Sequence, residues 1–499
     1  MRRILKLSCL IIYIALSITL IVESYITGDS STNQSNAVGG TIANVFNVLK
    51  NVNIEFIGEC IDLSSDGKGV VKYDSIVGFV DNFLPGEKAE IIITYLKKDI
   101  FFGKVKNYIV LSKNRIKPKC PYFYECGGCS IMHLSYDEQL KYKQNKVQEC
   151  LKRIGGININ VQPTIGMSDP YCYRNKIQMP IKLSKKGKIV SGFYKEKTHD
   201  IVPIETCEIE NKKADDILSS IKQLMKKFRI LPYDEDRRNG VIRHILIRTS
   251  YHYDEIMVVL VTTIDSFPGR GDFIKALKNK NPEITTIVQN INPRDTNVIL
   301  GERQRVLSGK GYIRDILCGV EFKISPKSFY QVNPIQTEKL YLKAIECADI
   351  KKTDLVLDAY CGIGTIGLIA SKYAKEVVGV EIVKEAVIDA INIAKNNNIT
   401  NAYFFAGDAG DFIVEQYKQG IKFDVVIMDP PRKGSDERFL SIIKKTKPSK
   451  VVYVSCDPAT LARDLKFLSD TYDIKSVTPV DMFPHTNHIE NVVQIFLKK

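Results

Sequence analysis

The sequence predicts an α/β protein with a C-terminal Rossmann-like domain, an N-terminal OB-type β-barrel and a mixed α+β central domain. Two observations lead to this prediction. From residue 327 to 499, strand-like apolar runs alternate with helix-like segments, which is the pattern of βαβ units around a parallel sheet. From residue 53 to 113, short alternating runs are separated by glycines and by Pro85-Gly86, which is typical of a small β-barrel of the OB type.

The same patterns divide the 499 residues into segments, and a chain of this length suits about three domains of ~150 residues each. In the central part, the runs GVIRHILIRTS and EIMVVLVTT predict paired strands, and residues 169–183 predict another strand. We expect a hydrophobic N-terminal segment with a polar linker at 1–52, the barrel at 53–113, the central domain at 114–326 and the Rossmann-like domain at 327–499.

The composition is basic, with 71 Lys and Arg against 57 Asp and Glu, which gives a formal net charge of +14. Such a charge suits an anionic partner, either nucleic acid or an anionic membrane face, although a lysine-rich proteome gives the same balance. The twelve cysteines are spread over a long chain, unlike those of a small secreted disulfide scaffold. We therefore expect mostly reduced thiols.

Acidic residues follow four successive predicted strands of the C-terminal domain, and open α/β sheets bind ligands at the carboxyl ends of their strands. The first strand runs into the turn DAYCGIGT, which lacks the third glycine of the dinucleotide fingerprint G-x-G-x-x-G. This counts against NAD and favours an adenosine ligand without a pyrophosphate, such as S-adenosylmethionine. The alternative is that these acids are only turn residues and helix caps; they are Asp358, Glu381, Asp408 and Asp429.

A cysteine cluster lies in the stretch KPKCPYFYECGGCSIMH, with the spacing Cys120-x5-Cys126-x2-Cys129. Three closely spaced cysteines in a reduced chain suggest a metal site, for which Cys207 is the candidate fourth ligand. Four thiolates suit a [4Fe–4S] cluster or zinc, and the spacing does not choose between them. Unrelated thiols are the alternative interpretation.

A further cysteine, Cys456, stands in the run VVYVSCDPATLARDL, directly after a strand and before Asp457-Pro458. A cysteine of the core is usually a small buried hydrophobic residue. A position at the end of a strand, beside the predicted ligand crevice, is instead typical of a nucleophile.

The motifs DAYCGIGT, DPPRKG, SCDPATLARDL and MFPHTNHIE follow one another in this order. With them, the chain from about residue 53 to 499 resembles the family of S-adenosylmethionine-dependent RNA uracil-5-methyltransferases. It resembles the 23S rRNA branch more than the tRNA branch, because the tRNA enzymes generally lack both the TRAM-like barrel and the cysteine cluster. The resemblance implies that the C-terminal domain is a methyltransferase domain.

The resemblance implies roles for individual residues. Cys456 is expected to add to C6 of uracil, and Glu490 is expected to remove the C5 proton, although His485 and His488 nearby would also suit a general base. The cysteines at 120, 126, 129 and 207 are expected to hold an iron–sulfur cluster of the [4Fe–4S] type. The residues expected at the S-adenosylmethionine site are Gln331, Tyr360, Glu381, Asp408 and Asp429.

The resemblance also implies the reaction and the partner. We expect methyl transfer to C5 of a uridine in 23S rRNA through a covalent Cys–C6 adduct, giving 5-methyluridine during rRNA processing. The basic residues around the cysteine cluster, among them Lys117 and Lys119, predict that the cluster stabilises an RNA-binding surface rather than doing redox chemistry. We expect a monomer without an obligate protein partner.

Four alternatives remain at this point. The chain could modify tRNA, or it could be an RNA-binding iron–sulfur protein without activity. A methyltransferase acting on an exocyclic amine would need no thiolate such as Cys456, and a membrane-bound redox protein would leave the C-terminal third unexplained. Because donor, RNA and reduced thiols require the cytosol, we expect a cytoplasmic protein in which the uncharged run Leu7 to Val22 belongs to an upstream extension or a tether.

Overall fold

A computed structural model describes residues 54–97, 99–195, 198, 200–295 and 297–499. The predicted N-terminal segment therefore lies outside the described residues. Within them, none of the helices combines the length and the apolar character needed to cross a bilayer. The chain divides into two units, of which the first ends at Leu111 and the second contains Leu63–Gly67 and everything from Ser112 onward.

The first unit contains a six-stranded sheet around a small apolar core that includes Val71, Val80, Ile91 and Phe101. The order of the strands is β1-β5-β6-β4-β3-β2, and β4 pairs with β6 in parallel. In residues 54–97 and 99–111 the pairings form an open series, so they do not by themselves confirm the predicted barrel. The strands are β1 Glu55–Glu59, β2 Asp62–Leu63, β3 Gly69–Tyr73, β4 Ile76–Asp81, β5 Lys88–Leu96 and β6 Ile100–Val110.

The second unit begins with a helix and a seven-stranded sheet of order β13-β12-β11-β10-β7-β8-β9. The predicted strand pair is confirmed, since β10 and β11 are antiparallel neighbours. The elements are α1 Tyr136–Cys150 with a π-helical turn Leu151–Gly155, β7 Lys176–Leu183, β8 Ile189–Tyr194, β9 Ile201–Pro203, α2 Lys212–Lys227, β10 Ile242–Thr249, β11 Ile256–Thr262, α3 Arg270–Lys280, β12 Ile284–Ile291 and β13 Arg303–Ser308.

The strand predicted for residues 169–183 is shorter than expected, because it begins only at Lys176. Cys172, inside the predicted range, has a φ of +51°, and this left-handed conformation is incompatible with an extended strand. The pattern of alternation does not reveal such a backbone conformation.

The C-terminal part forms a doubly wound α/β sheet of order β18-β17-β16-β19-β20-β22-β21, reached through a hairpin and a helix. The first five strands of this order are parallel, and β22 and β21 run antiparallel. The elements are β14 Ile313–Leu317, β15 Val320–Ile324, α4 Pro334–Ala348, β16 Leu355–Ala359, α5 Thr365–Ala370, β17 Glu376–Glu381, α6 Lys384–Asn396, β18 Ala402–Ala406, α7 Ala409–Lys418, β19 Val425–Met428, α8 Glu437–Thr446, β20 Lys450–Ser455, α9 Pro458–Leu468, β21 Tyr472–Val480 and β22 Glu490–Leu497.

The two seven-stranded sheets share buried apolar contacts. Leu246 and Met257, from β10 and β11, belong to the same core as Val356 and Ile427 of the C-terminal sheet. Strands that are buried on both faces are continuous hydrophobic runs, as in VVIM of β19. The central and C-terminal regions therefore form one unit.

The tight contact between Gly379 of β17 and Phe404 of β18 yields a test of this packing. A Cβ atom at Gly379 would lie 2.4 Å from Phe404 Cδ1, whereas one at Gly407 would meet no atom within 4 Å. We expect Gly379→Ala to lower the free energy of unfolding by about 1–3 kcal/mol through overpacking. Gly407→Ala, the matched control, should leave it nearly unchanged. Urea unfolding followed by circular dichroism measures both, and equal stability of the two variants would contradict the packing described.

Candidate active site

Polar residues collect at the carboxyl edge of the parallel strands. Glu381 ends β17, Asp408 follows β18, Asp429 follows β19 and Cys456 follows β20. In open α/β sheets ligands bind at this edge, near the point where the strand order reverses. The structure therefore places four of the predicted site residues along one side of the sheet.

The pairing of β20 with β22 brings the predicted nucleophile and base to the same place. Ser455 is the antiparallel partner of Asn491, and Asn491 Nδ2 donates a hydrogen bond to the Ser455 carbonyl oxygen at 3.2 Å. Cys456 follows Ser455 directly after the end of β20, and Glu490 precedes Asn491 as the first residue of β22. This register makes Cys456 and Glu490 neighbours across the end of the two strands.

The turn between β20 and α9 fixes the backbone around Cys456. Asp457 caps the helix, since its Oδ1 accepts hydrogen bonds at 2.9 Å from two backbone N–H groups of the first turn. Ser455 Oγ accepts a hydrogen bond from the Asp457 N–H at 3.2 Å, and Pro458 occupies the first helical turn. Cys456 is thus held between a strand end and a capped helix, which leaves its thiol half-buried.

Four ionisable groups share the electrostatics of this corner. Burial and then the charge of Asp429 raise the pKa of Glu490, which is 7% exposed, well above its ordinary value, while Arg432 acts in the opposite direction. Burial raises the pKa of Asp429 to about 7. Burial, then Glu490 and Asp429, raise the pKa of the Cys456 thiol to about 11, and Arg432 opposes this shift. Carboxyl groups with raised pKa values are suited to accept a proton during a reaction.

The turn after β16 is built to approach a ligand with its backbone. Tyr360 has a φ of +61° and Gly362 one of +54°, and a Cβ at Gly362 would meet no atom within 4 Å. Glu381 ties this turn to the next strand, because its Oε2 accepts from the Gly362 N–H at 3.1 Å and its Oε1 from the Val383 N–H at 3.0 Å. Each oxygen of this carboxylate can accept a second hydrogen bond. Hydroxyl groups could donate it, which fits the ribose of S-adenosylmethionine.

Two of the strand-end acids act as caps, as the alternative interpretation predicted. Asp358 is buried within β16, and its Oδ2 accepts from the Gly367 N–H at 2.7 Å; burial raises its pKa to about 7. Asp408 is exposed and caps α7 by accepting from the Asp411 N–H at 3.0 Å. The cap does not test whether Asp408 also lies near an adenine, which stays a prediction.

Tyr360 is anchored at both its ring and its hydroxyl group. The hydroxyl lies 3.1 Å from Ser435 Oγ, and the ring packs edge-on against Phe439 with centroids 5.4 Å apart. These contacts hold the side chain on the α8 side of the turn. The ring of Tyr360 therefore has one fixed orientation, and its place beside the cofactor stays a prediction.

Gln331 lies half-buried in the loop before α4. Asn175 Nδ2 donates to the Gln331 carbonyl oxygen at 3.1 Å, and the Asn175 N–H donates to the Val332 carbonyl at 2.8 Å. Burial and then Asp429 raise the pKa of the buried Tyr341, while a hydrogen bond with the Gln331 side chain lowers it. The Gln331 side chain therefore reaches the neighbourhood of Asp429.

Arg432 and Tyr341 belong to this neighbourhood, although the sequence analysis assigned them no role. The lone arginine in DPPRKG was the available signal for Arg432. Tyr341 lies at an apolar position of α4, where a core residue is expected, so the sequence did not indicate a place for it in the site.

The two histidines near Glu490 differ in their surroundings. His485 is 1% exposed, its Nδ1 lies 3.2 Å from Gln139 Nε2, and burial lowers its pKa to about 4. His488 is exposed, with its ring 6.1 Å from that of Phe483. A neutral, buried His485 serves to hold the backbone rather than to exchange protons.

The four predicted metal ligands line a single cavity of about 430 Å³, although Cys207 is distant from the other three in the sequence. Burial, then Cys126 and Cys120, raise the pKa of Cys129 to about 12. Within the described ranges, no three or more Cys, His, Asp or Glu side chains are arranged to hold one metal ion. The predicted iron–sulfur site is therefore not confirmed and stays a prediction.

Comparisons with known proteins agree with this geometry. Residues 274–499 match the family model for tRNA (uracil-5-)-methyltransferases. A protein of Listeria innocua described as an uncharacterized RNA methyltransferase is 48% identical over 450 residues, which cover 90% of this chain and 98% of that protein. A protein of Halalkalibacterium halodurans with the same description is 46% identical, covering 88% of this chain and 96% of its own length.

Among solved structures, the chain resembles the tRNA (uracil-54, C5)-methyltransferase of Pyrococcus abyssi in complex with S-adenosyl-L-homocysteine. The TM-score is 0.70 at 29% identity, covering 88% of this chain and 100% of that one. The chain thus has an α/β methyltransferase fold similar to that enzyme. It belongs to the family of S-adenosylmethionine-dependent RNA uracil-5-methyltransferases.

Proposed function

We propose that this chain transfers a methyl group from S-adenosylmethionine to C5 of a uridine in 23S rRNA, with Cys456 as the nucleophile and Glu490 as the general base. The observation that carries the proposal is the β20–β22 register, which makes a thiol and a buried carboxyl neighbours at the ligand-binding edge of the sheet. A methyltransferase acting on an exocyclic amine has no need of this thiol.

The reaction requires these two groups in sequence. The Cys456 thiolate adds to C6 of the uracil, and the electrons of the C5–C6 double bond move onto C5 and O4 as an enolate. S-adenosylmethionine, when bound, supplies the electrophilic methyl group that C5 takes. Glu490 then removes the proton from C5, the electron pair re-forms the double bond, and the Cys456 thiolate leaves.

The thiol must lose its proton before it can attack, since the thiolate is the nucleophilic form. With a pKa of about 11, Cys456 is protonated in the free protein at neutral pH. Arg432 is the group that stabilises the thiolate, and Asp429, whose pKa is raised to about 7, can accept the thiol proton, which leaves Glu490 to remove the proton from C5.

The proposed donor site uses residues around the glycine turn. Glu381 binds the ribose hydroxyls, Tyr360 flanks the cofactor and Gln331 lies near its methionine part. Asp408 lies near the adenine, and Asp429 lies between the cofactor and the uracil. The fixed backbone of the turn and the paired Glu381 carboxylate support this assignment.

Two features support the choice of 23S rRNA. The four cysteines that line one cavity suit a [4Fe–4S] cluster, and the first unit suits an OB-type or TRAM domain. In the sheet of the first unit, β1 lies at one edge and β2 at the other. Only two residues separate these strands in the chain, so the two edges of the sheet lie close together, as a barrel requires. We propose that this barrel at 53–113, the central domain at 114–326 and the methyltransferase domain at 327–499 act together on RNA.

A tRNA substrate is the second candidate, and the likeness to the Pyrococcus abyssi tRNA enzyme favours it. In either RNA a uracil inside a helix cannot present C6 to Cys456, so the target must be single-stranded or flipped out of its stack.

Methyl transfer to 23S rRNA and tRNA transcripts tests the substrate. We expect 5-methyluridine, identified by nucleoside mass spectrometry, in 23S rRNA and not in tRNA, and no product with Cys456→Ala. Cys347 is a buried cysteine of α4, and the control variant Cys347→Ala should retain activity. Product in tRNA alone would show that tRNA is the substrate, and an active Cys456→Ala variant would refute the mechanism.

The raised pKa of Cys456 predicts how its alkylation depends on pH. Between pH 7 and 10 the rate of carboxamidomethylation of Cys456 should rise about tenfold per unit, because the thiolate fraction rises tenfold. Glu490→Gln removes a carboxyl that disfavours the thiolate when it is ionised, so at pH 10 the pKa of the Cys456 thiol is lower and Cys456 is alkylated faster than in the wild type.

Peptide mass spectrometry follows this alkylation at Cys456 itself. Asp473→Asn, at the other end of the same sheet, serves as the control and should alkylate as the wild type does. A Glu490→Gln variant that alkylates no faster would show that this carboxyl does not act on the thiol.

Metal and sulfide analysis of the full chain, purified without oxygen, tests the cysteine cavity. We expect about four iron and four sulfide per chain. Cys126→Ser should lose both, whereas Cys172→Ser, a cysteine outside the cavity lining, should keep them. Zinc without sulfide would exclude the iron–sulfur cluster.

A further inference from the structure

The segment that carries Glu490 is held by a distant part of the chain. Residues 481–489, here called the base loop, connect β21 to β22 and end immediately before Glu490. Most of the hydrogen bonds that fix its first half come from residues 130–173, which follow Cys129 in the chain.

Asp481 forms the first anchor. It makes a salt bridge with Lys143 of α1, and both side chains are fully buried. Tyr136, also on α1, donates its hydroxyl to Asp481 Oδ2 at 2.9 Å, and Lys143 Nζ donates to the Phe483 carbonyl at 3.1 Å. A buried ion pair loses most of its solvation, so separating these partners is strongly unfavourable.

His485 forms the second anchor and has a strained backbone, with a φ of +68°. Its N–H donates to Gln139 Oε1 at 3.0 Å, while Gln139 Nε2 donates to the neutral ring at Nδ1, 3.2 Å away. Its carbonyl oxygen accepts from the N–H groups of Ser130 and Ile131, each at 3.0 Å. Ser130 follows Cys129 directly, so the backbone of the cysteine cluster touches the base loop.

Aromatic residues complete the support. Tyr171 stacks on the His485 ring with centroids 4.6 Å apart, and Tyr173 donates its hydroxyl to the Pro484 carbonyl at 3.1 Å. A non-glycine residue at positive φ persists only where its surroundings hold it. Glu490 itself is paired with Val480 of β21, and these anchors hold the loop that leads directly into it.

We propose that Gln139, together with the backbone of Ser130 and Ile131, is a positioning element for Glu490, and that it controls removal of the C5 proton rather than RNA binding. This inference rests on the proposed function. Small displacements of a catalytic group cost large factors in rate. Because Cys456 is held by β20 and α9, thiol addition and methyl transfer should proceed, and only release of the methylated adduct should slow.

The inference differs from the role that the sequence suggested for the cluster, which was to stabilise an RNA-binding surface. Loss of a phosphate-binding surface raises KM for RNA. Loss of base positioning lowers kcat at unchanged KM and leaves methylated RNA attached to Cys456. The two roles therefore have different kinetic signatures.

Gln139→Met tests the proposal, since it keeps the size of the side chain and removes its hydrogen bonds. Gln148→Met is the matched control: Gln148 lies on the same helix and makes two comparable hydrogen bonds, to Ile159 and Val161. The full chain is mixed with labelled S-adenosylmethionine and the transcript that the wild type methylates, and adducts stable to SDS are counted.

For Gln139→Met we expect at least a tenfold lower kcat, a KM for RNA within twofold of wild type, and accumulation of labelled adduct. Gln148→Met should match the wild type. Tyr173→Phe, which removes one hydroxyl, should give the same signature more weakly, and it keeps the test decisive if Gln139→Met does not fold.

A lower kcat without adduct, or a change in KM alone, in both Gln139→Met and Tyr173→Phe would overturn the inference while leaving the proposed function intact. A wild-type protein that makes no 5-methyluridine in either RNA would instead overturn the proposed function and this inference with it.

Discussion

The antiparallel pairing of β22 with β20 is the constraint on which the site depends. Five parallel strands place their carboxyl ends at one edge, but they alone offer only strand-end acids and a cysteine. A strand that runs in the opposite direction brings its first residue, Glu490, to that edge, where Cys456 is its neighbour. The proposed nucleophile and base thus meet although 34 positions separate them in the chain.

Burial then sets the chemistry of these groups. Removing a carboxyl from water disfavours its charged form, which raises the pKa of Glu490 and of Asp429. The same desolvation and the same negative neighbours raise the pKa of the thiol of Cys456. Arg432 opposes the pKa shifts of Cys456 and Glu490, and this positive charge suits the proposed attack, in which O4 of the uracil becomes negative.

Local sequence patterns predicted the local parts of this structure. The Rossmann-like alternation, the glycine turn and the position of Cys456 after a strand depend on short stretches, and short-range sterics and hydrophobic periodicity determine these. The cap formed by Asp408 was foreseen only as an alternative, since one aspartate after a strand suits a ligand and a helix cap equally. The role of Glu490 came from family resemblance, because nothing in HIENVV shows which strand lies beside it.

The remaining features depend on contacts between distant residues. Gln139 and His485 are 346 positions apart, and the residues around each give no sign of the other. The cavity of the four cysteines likewise needs Cys207 to be brought to the other three by folding. The left-handed backbone at Cys172 and His485 reflects tertiary support rather than residue preference, so a pattern of residue types does not contain it.

The covalent bond between Cys456 and C6 of uracil is the central claim, and a 5-fluorouridine RNA tests it most directly. Fluorine at C5 cannot leave as a proton does, so addition and methyl transfer should stop at a stable adduct. We predict a cross-linked peptide containing Cys456, 5-fluorouridine and one transferred methyl group, found by tandem mass spectrometry. Ordinary turnover on this RNA without a cross-link, or a cross-link at another residue, would contradict the account.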